Sequence, residues 1–74
     1  MPEIAGRRYE MIVGTDVATR DGEFLELYDG EEQVLEVFYS DIDGSTTFTA
    51  YRQDLPLLVV EWAIAEAKAR LTPR

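Results

Sequence analysis

The chain has 74 residues with no cysteine and no histidine, and 15 acidic against 7 basic side chains give a formal charge of -8. These counts exclude a Ser-His-Asp triad, a Cys-His dyad, thiol redox chemistry, imidazole or thiolate metal sites and a disulfide scaffold. Leu, Ile, Val and Phe supply 20 of the 74 residues, about 27%, above the roughly 20% below which a highly charged chain stays disordered. One folded domain over residues 1–74 is therefore expected. It lies near the size at which a single core contributes only about 3–5 kcal/mol. Oligomerisation is the remaining common route to more buried area.

From the N-terminus, Arg7-Arg8 is followed by Tyr9–Asp16, which charge interrupts, so no export signal is expected. No apolar run reaches the length of about 18 residues that a membrane helix needs. A cytoplasmic protein is the expectation. The run 9–19 reads as a first strand, broken or bulged near Gly14. Three Asp-Gly pairs follow, Asp21-Gly22, Asp29-Gly30 and Asp43-Gly44. Asp-Gly supplies the positive φ of tight turns. The pairs separate β-type runs over 23–28, 34–40 and 46–51.

Opposed residues of an antiparallel pair share a face. An odd-length loop around Gly30 pairs Leu27 with Leu35 and Leu25 with Val37. A two-residue turn at Asp43-Gly44 pairs Tyr39 with Phe48 and Val37 with Ala50. These sets form one apolar face. In the first strand, a strict two-residue turn at Asp21-Gly22 would put Asp16 and Ala18 opposite the leucines, whereas a bulge or three-residue loop puts Val13 and Val17 there, and the second arrangement is the one expected.

The period then changes. Leu57, Val60, Ile64, Ala67 and Leu71 mark one face of a helix over 56–71. Pro56 suits its first turn and Asp54 its cap. Glu66 and Arg70 form an i,i+4 pair, Lys68 and Arg70 suit the C-terminal end, and Thr72-Pro73 stops it. Trp62 is expected to rim the helix–sheet core. The predicted fold is α+β: an antiparallel meander of three to four strands with one C-terminal helix packed on one face.

A single helix covers one face only. The other should carry Phe24, Glu26, Tyr28, Val34, Glu36, Phe38, Thr47, Thr49 and Tyr51. Exposed aromatics of this kind form interface hot spots. Phe24, Glu26, Tyr28, Glu36, Phe38, Thr49 and Tyr51 are accordingly the candidate interface. Charge adds a second indication. Residues 21–51 hold nine acids and no base, while 1–20 are neutral and 52–74 carry +1. Such a segment suits a basic protein partner better than anionic lipid.

No catalytic constellation stands out. Glu26 and Glu36 share a face, but no pocket is evident for acid–base work. Asp41–Ser45 lacks the ligand spacing of a calcium loop, since Gly44 falls at its position 4 and Arg52 at its position 12. No metal, cofactor or membrane partner is expected. The order of elements, a β-meander then a C-terminal helix, resembles the Whirly type of single-stranded nucleic-acid binder, which implies bases stacked on the aromatic face. Such binding needs a basic groove, and no Lys or Arg lies between Arg20 and Arg52. The expectation is a non-catalytic protein-interaction module that homodimerises or presents its acidic surface to a basic protein. Single-stranded nucleic-acid binding and small-ligand binding are the alternatives.

Overall fold

A computed structural model describes residues 2–71. The fold is α+β. A two-stranded hairpin, β1 (Glu3–Ile4) and β2 (Arg7–Arg8), precedes a four-stranded antiparallel sheet. Its strands are β3 (Glu10–Asp16), β4 (Gly22–Asp29), β5 (Glu32–Ser40) and β6 (Thr46–Ala50), ordered β3-β4-β5-β6. One helix, α1 (Leu57–Arg70), follows. Thr72-Pro73 lies outside the described residues.

The small hairpin carries no Asp-Gly or Asn-Gly signal. Ala5 and Gly6 both adopt positive φ, 52° and 80°, as a two-residue turn between twisted strands requires. The Asp-Gly turns instead vary in length. Between β3 and β4 the loop spans residues 17–21, so Val13 lies opposite Leu25 and Met11 opposite Leu27. Val17 falls in that loop and is exposed, contrary to the expectation that it would join the leucines. Asp16 Oδ1 accepts the N–H groups of Ala18 and Thr19, closing the loop locally.

Leu27 pairs with Leu35 and Leu25 with Val37, as expected. The odd residue is supplied by a bulge at Val34 rather than by the turn, which is two residues long. The register slips between Leu27 and Tyr28. Because the bulge sets two successive residues against one, Val34 joins the core instead of the opposite face, where parity placed it.

The β5–β6 register differs from a two-residue turn. Val37 faces Phe48 and Leu35 faces Ala50, with Asp41–Ser45 as the loop. Ser45 N–H donates to Asp43 Oδ1 and Ser40 N–H to Ser45 O, both at 2.9 Å. These bonds stabilise a longer loop around Gly44, whose φ is 74°. The shift is by two residues, so every side chain keeps its face.

The inner face packs Leu25, Leu27, Val34, Leu35 and Val37 against Val59, Ala63, Ala67 and Leu71, with Tyr9 completing the core. Trp62 packs at its margin as expected. The helix is rotated from its predicted orientation: Leu57 is 70% exposed, Ile64 is 41% exposed and Val60 only half-buried. Alanines explain this. Ala63 and Ala67 let the helix axis approach the leucines of β4 and β5, which pushes the larger Leu57 and Ile64 to the flanks. Pro56 is the N-cap residue and no side chain caps the helix, so Asp54 does not serve there. Glu66 and Arg70 do pair, at 2.8 Å.

Candidate functional site

Apart from Val34, the outer face keeps the predicted parity. Gly14, Phe24, Phe38 and Thr47 form one cross-strand row, and Ile12, Glu26, Glu36 and Thr49 the next. Two carboxylates, Glu26 and Glu36, are therefore direct cross-strand neighbours, an unfavourable pair if left alone. Each has a partner. The Tyr28 hydroxyl donates to Glu26 Oε1 at 3.1 Å. Arg20 reaches across from the β3–β4 loop and grips Glu36 bidentately, with Nη1–H to Oε1 and Nη2–H to Oε2 both at 2.9 Å. The planar fork matches a carboxylate in a way lysine does not. Its guanidinium carbon also lies 4.1 Å from the Phe38 ring centroid, a cation–π contact.

Arg20 is thus a lid over the middle of the aromatic face. Under it, Glu36 is 7% and Phe38 8% exposed. Phe24, Glu26 and Tyr28 are half-buried, while Thr49 and Tyr51 remain exposed. The candidate interface residues do share one face, but its centre is closed by a residue of the same chain. Two other arginines from outside the acidic segment act similarly. Arg7 pairs with Asp29 at 3.1 Å, and Arg52 pairs with Asp29 at 3.0 Å and with Glu32. The base-free segment of the sequence is therefore partly neutralised in space.

These contacts hold three carboxyls below their ordinary range. Asp16 is lowered from 3.8 to about 2, first by the Thr19 N–H, then by the Thr19 hydroxyl, with Arg20 adding to it. Arg52 lowers Asp29 first and Arg7 assists. The Ser45 N–H lowers Asp43. A carboxyl more acidic in the folded than in the unfolded chain stabilises the fold above its unfolded pKa. That contribution is lost as pH falls through the folded value. Stability should therefore fall between about pH 4 and pH 2, with proton uptake on unfolding. Urea midpoints measured across this range check it, and Asp16→Asn should flatten the slope below pH 4. An unchanged slope in that variant would remove Asp16 from the account. Burial, then the bond to Glu26, raises the Tyr28 phenol.

The inner face has a different opening. Helix α1 packs mainly on β4 and β5 and leaves β6 exposed. All five β6 residues are exposed. Between β6 and the helix runs a half-open cavity of about 410 Å³, lined by Val37, Tyr39, Phe48, Ile64, Lys68 and Leu71 among others. Phe48 on its floor is 43% exposed. Helix rotation brings Ile64 to its wall. Sequence periodicity placed Phe48 and Ile64 in the core, so this groove was not expected. Its one sequence signal is that a single helix is too narrow to cover four strands.

Among the described residues, β6 is also an unpaired sheet edge. Tyr51 N–H donates to Val34 O and Ser40 N–H to Ser45 O. With no irregularity between β5 and β6, alternation assigns residues 47 and 49 to the β5 side. Thr46, Phe48 and Ala50 then aim their N–H and C=O groups outward. The segment Thr46–Ala50 carries no charge, Pro or Gly, the usual protections of an edge.

Among the described residues no helix is long and apolar enough to cross a membrane. No known protein family, curated protein or solved structure matches the chain.

Proposed function

We propose that the protein is a non-catalytic protein-interaction module, cytoplasmic in setting, whose contact surface is the β6 edge with the adjoining α1–β6 groove. The observation that carries this reading is the coincidence of two unfilled needs at one place: outward main-chain groups and an exposed apolar groove. An added strand meets both, since its backbone extends the sheet and its alternate side chains enter the groove. A volume of about 410 Å³ accommodates side chains of that size. The partner is a second copy of the chain or another protein, and the net charge of -8 favours a basic one. Glu36, the most buried acid, has both oxygens committed to Arg20 and lies on the face opposite the groove. This supports a structural role for the carboxylates.

Titration with an extended peptide alternating apolar and lysine residues tests the reading, followed by backbone amide shifts. The expected result is perturbation at Thr46, Phe48, Ala50 and Ile64, abolished by Phe48→Glu. Absence of perturbation there, or perturbation confined to the outer face around Phe24 and Tyr51, refutes it.

A further inference from the structure

We infer that the occupant of the β6 edge is a second copy of the chain, paired antiparallel about a two-fold axis at Phe48. This rests on the reading of β6 as the contact edge and adds the partner and the register.

Register comes first. Phe48 is an outward-facing residue of β6, flanked symmetrically by Thr46 and Ala50, which face outward too. An axis through Phe48 makes Phe48 and its symmetry mate a hydrogen-bonded pair. It sets Thr46 against Ala50 on both sides and Thr47 against Thr49. Each hydrogen-bonded pair exchanges two bonds, giving about six new main-chain hydrogen bonds. No other centre uses all five residues of the strand.

Side chains agree with this register. On the helix side, the two Phe48 rings become cross-strand neighbours, an aromatic pair of the favoured kind. On the other side, threonine meets threonine. An axis normal to the sheet puts both helices on the same face, so the two grooves open into one another. Phe48 and Ile64 of each copy, both exposed in the single chain, then line one shared apolar space. Two exposed patches cover each other without a third component.

Charge explains why this edge and not the other. The opposite edge strand, β3, begins with Glu10 and ends with Asp16. A two-fold pairing about its centre, Val13, would set Glu10 against the partner's carboxylate at Asp16, a like-charge pair at both ends. β6 is uncharged over its length. Beyond its ends, the same axis brings the loop containing Asp41 and Asp43 toward the segment of the other copy that carries Arg52. Arg52 is already held by Asp29 and Glu32 and Asp54 lies close by, so the margins add no attraction, and the neutrality of the strand itself makes β6 the edge that can pair although each chain carries -8. A domain near the lower size limit also gains the buried area it lacks alone.

Sedimentation equilibrium from micromolar to millimolar concentration tests the inference on the full chain. The wild type should be dimeric in the upper range. Ala50→Pro removes an outward N–H and leaves the β5 ladder intact, so it should raise the dimer dissociation constant at least about tenfold, with little change in the Tm measured at concentrations where both proteins are monomeric. The chain has no cysteine, so a single Phe48→Cys should give a disulfide-linked dimer on mild oxidation. The opposed Cα atoms of a hydrogen-bonded pair lie about 5.5 Å apart, within disulfide reach. Thr47→Cys, placed against Thr49, should not. A wild type that is monomeric throughout, or a dimer indifferent to Ala50→Pro, overturns the inference. If the chain is monomeric yet the strand peptide docks on β6, the second copy is wrong and the contact edge stands. If neither occurs, both are wrong.

Discussion

Gly22→Ala should leave the protein largely unfolded, costing at least about 3 kcal/mol, comparable to the whole stability expected of a domain this small. Gly22 opens β4 opposite Ser40, at the end of the β4–β5 ladder away from the Gly30-Glu31 turn. A Cβ there would sit 2.1 Å from the Tyr39 carbonyl oxygen and 2.6 Å from Phe38 Cζ. The first contact is with backbone, so relief requires the ladder itself to part. The second is with the ring that carries Arg20. Chemical denaturation followed by Trp62 fluorescence and far-UV dichroism measures the loss. Gly14→Ala is the informative contrast. Its Cβ would come within 2.8 Å of Phe24 Cζ, but a ring edge can swing away. That change should cost about 1 kcal/mol. Equal costs at the two positions would show that β4 and β5 do not meet as closely as described.

A double-mutant cycle at Arg20 and Glu36 should show the second large effect. Arg20→Ala removes a bidentate partner from a carboxylate that is 7% exposed. It also strips the cation from the Phe38 ring. Breaking a fully buried ion pair from one side costs about 3–5 kcal/mol. The Arg20 side chain is 43% exposed, so water can reach the vacated carboxylate, and a loss of about 2 kcal/mol is expected. Arg20→Ala with Glu36→Leu should recover most of it, because the uncompensated charge is gone and Leu packs beside Phe38. Urea midpoints of the four proteins give the coupling energy directly. Additive losses would mean that Arg20 lies on the surface without holding Glu36. The same variants carry a second expectation. If Arg20 is the lid, Arg20→Ala alone should expose Phe38 and increase binding of an apolar dye at the outer face.

Much of this architecture is legible in local pattern. The alternation of Leu25, Leu27, Leu35 and Val37 specifies which residues share a face, because side-chain direction in a strand has a period of two whatever the loop does. Even where a turn was longer than expected, as at Asp41–Ser45, the error was an even number of residues and no side chain changed face. Val34 is the exception, since a bulge breaks that period. The N-terminal hairpin was not legible because Ala5 is an unusual occupant of a positive-φ position. Helix existence was plain from Leu57 to Leu71, yet its buried stripe was not. Large apolar residues suggest one stripe, while two alanines decide how near the helix can approach.

The candidate site divides along the same line. The sequence by itself determined that residues 21–51 carry nine acids and no base, that aromatics and carboxylates alternate on one sheet face, and that a single helix must leave some of the sheet uncovered. These depend only on composition and periodicity. Tertiary structure alone decided that Arg7, Arg20 and Arg52 fold back onto the acids, that Arg20 covers Glu36 and Phe38 at the centre of the aromatic face, and that β6 and the groove beside it are left exposed. Each of these depends on where residues distant in the chain meet. That is set by loop lengths and by the lateral seat of the helix, neither of which a periodic pattern encodes.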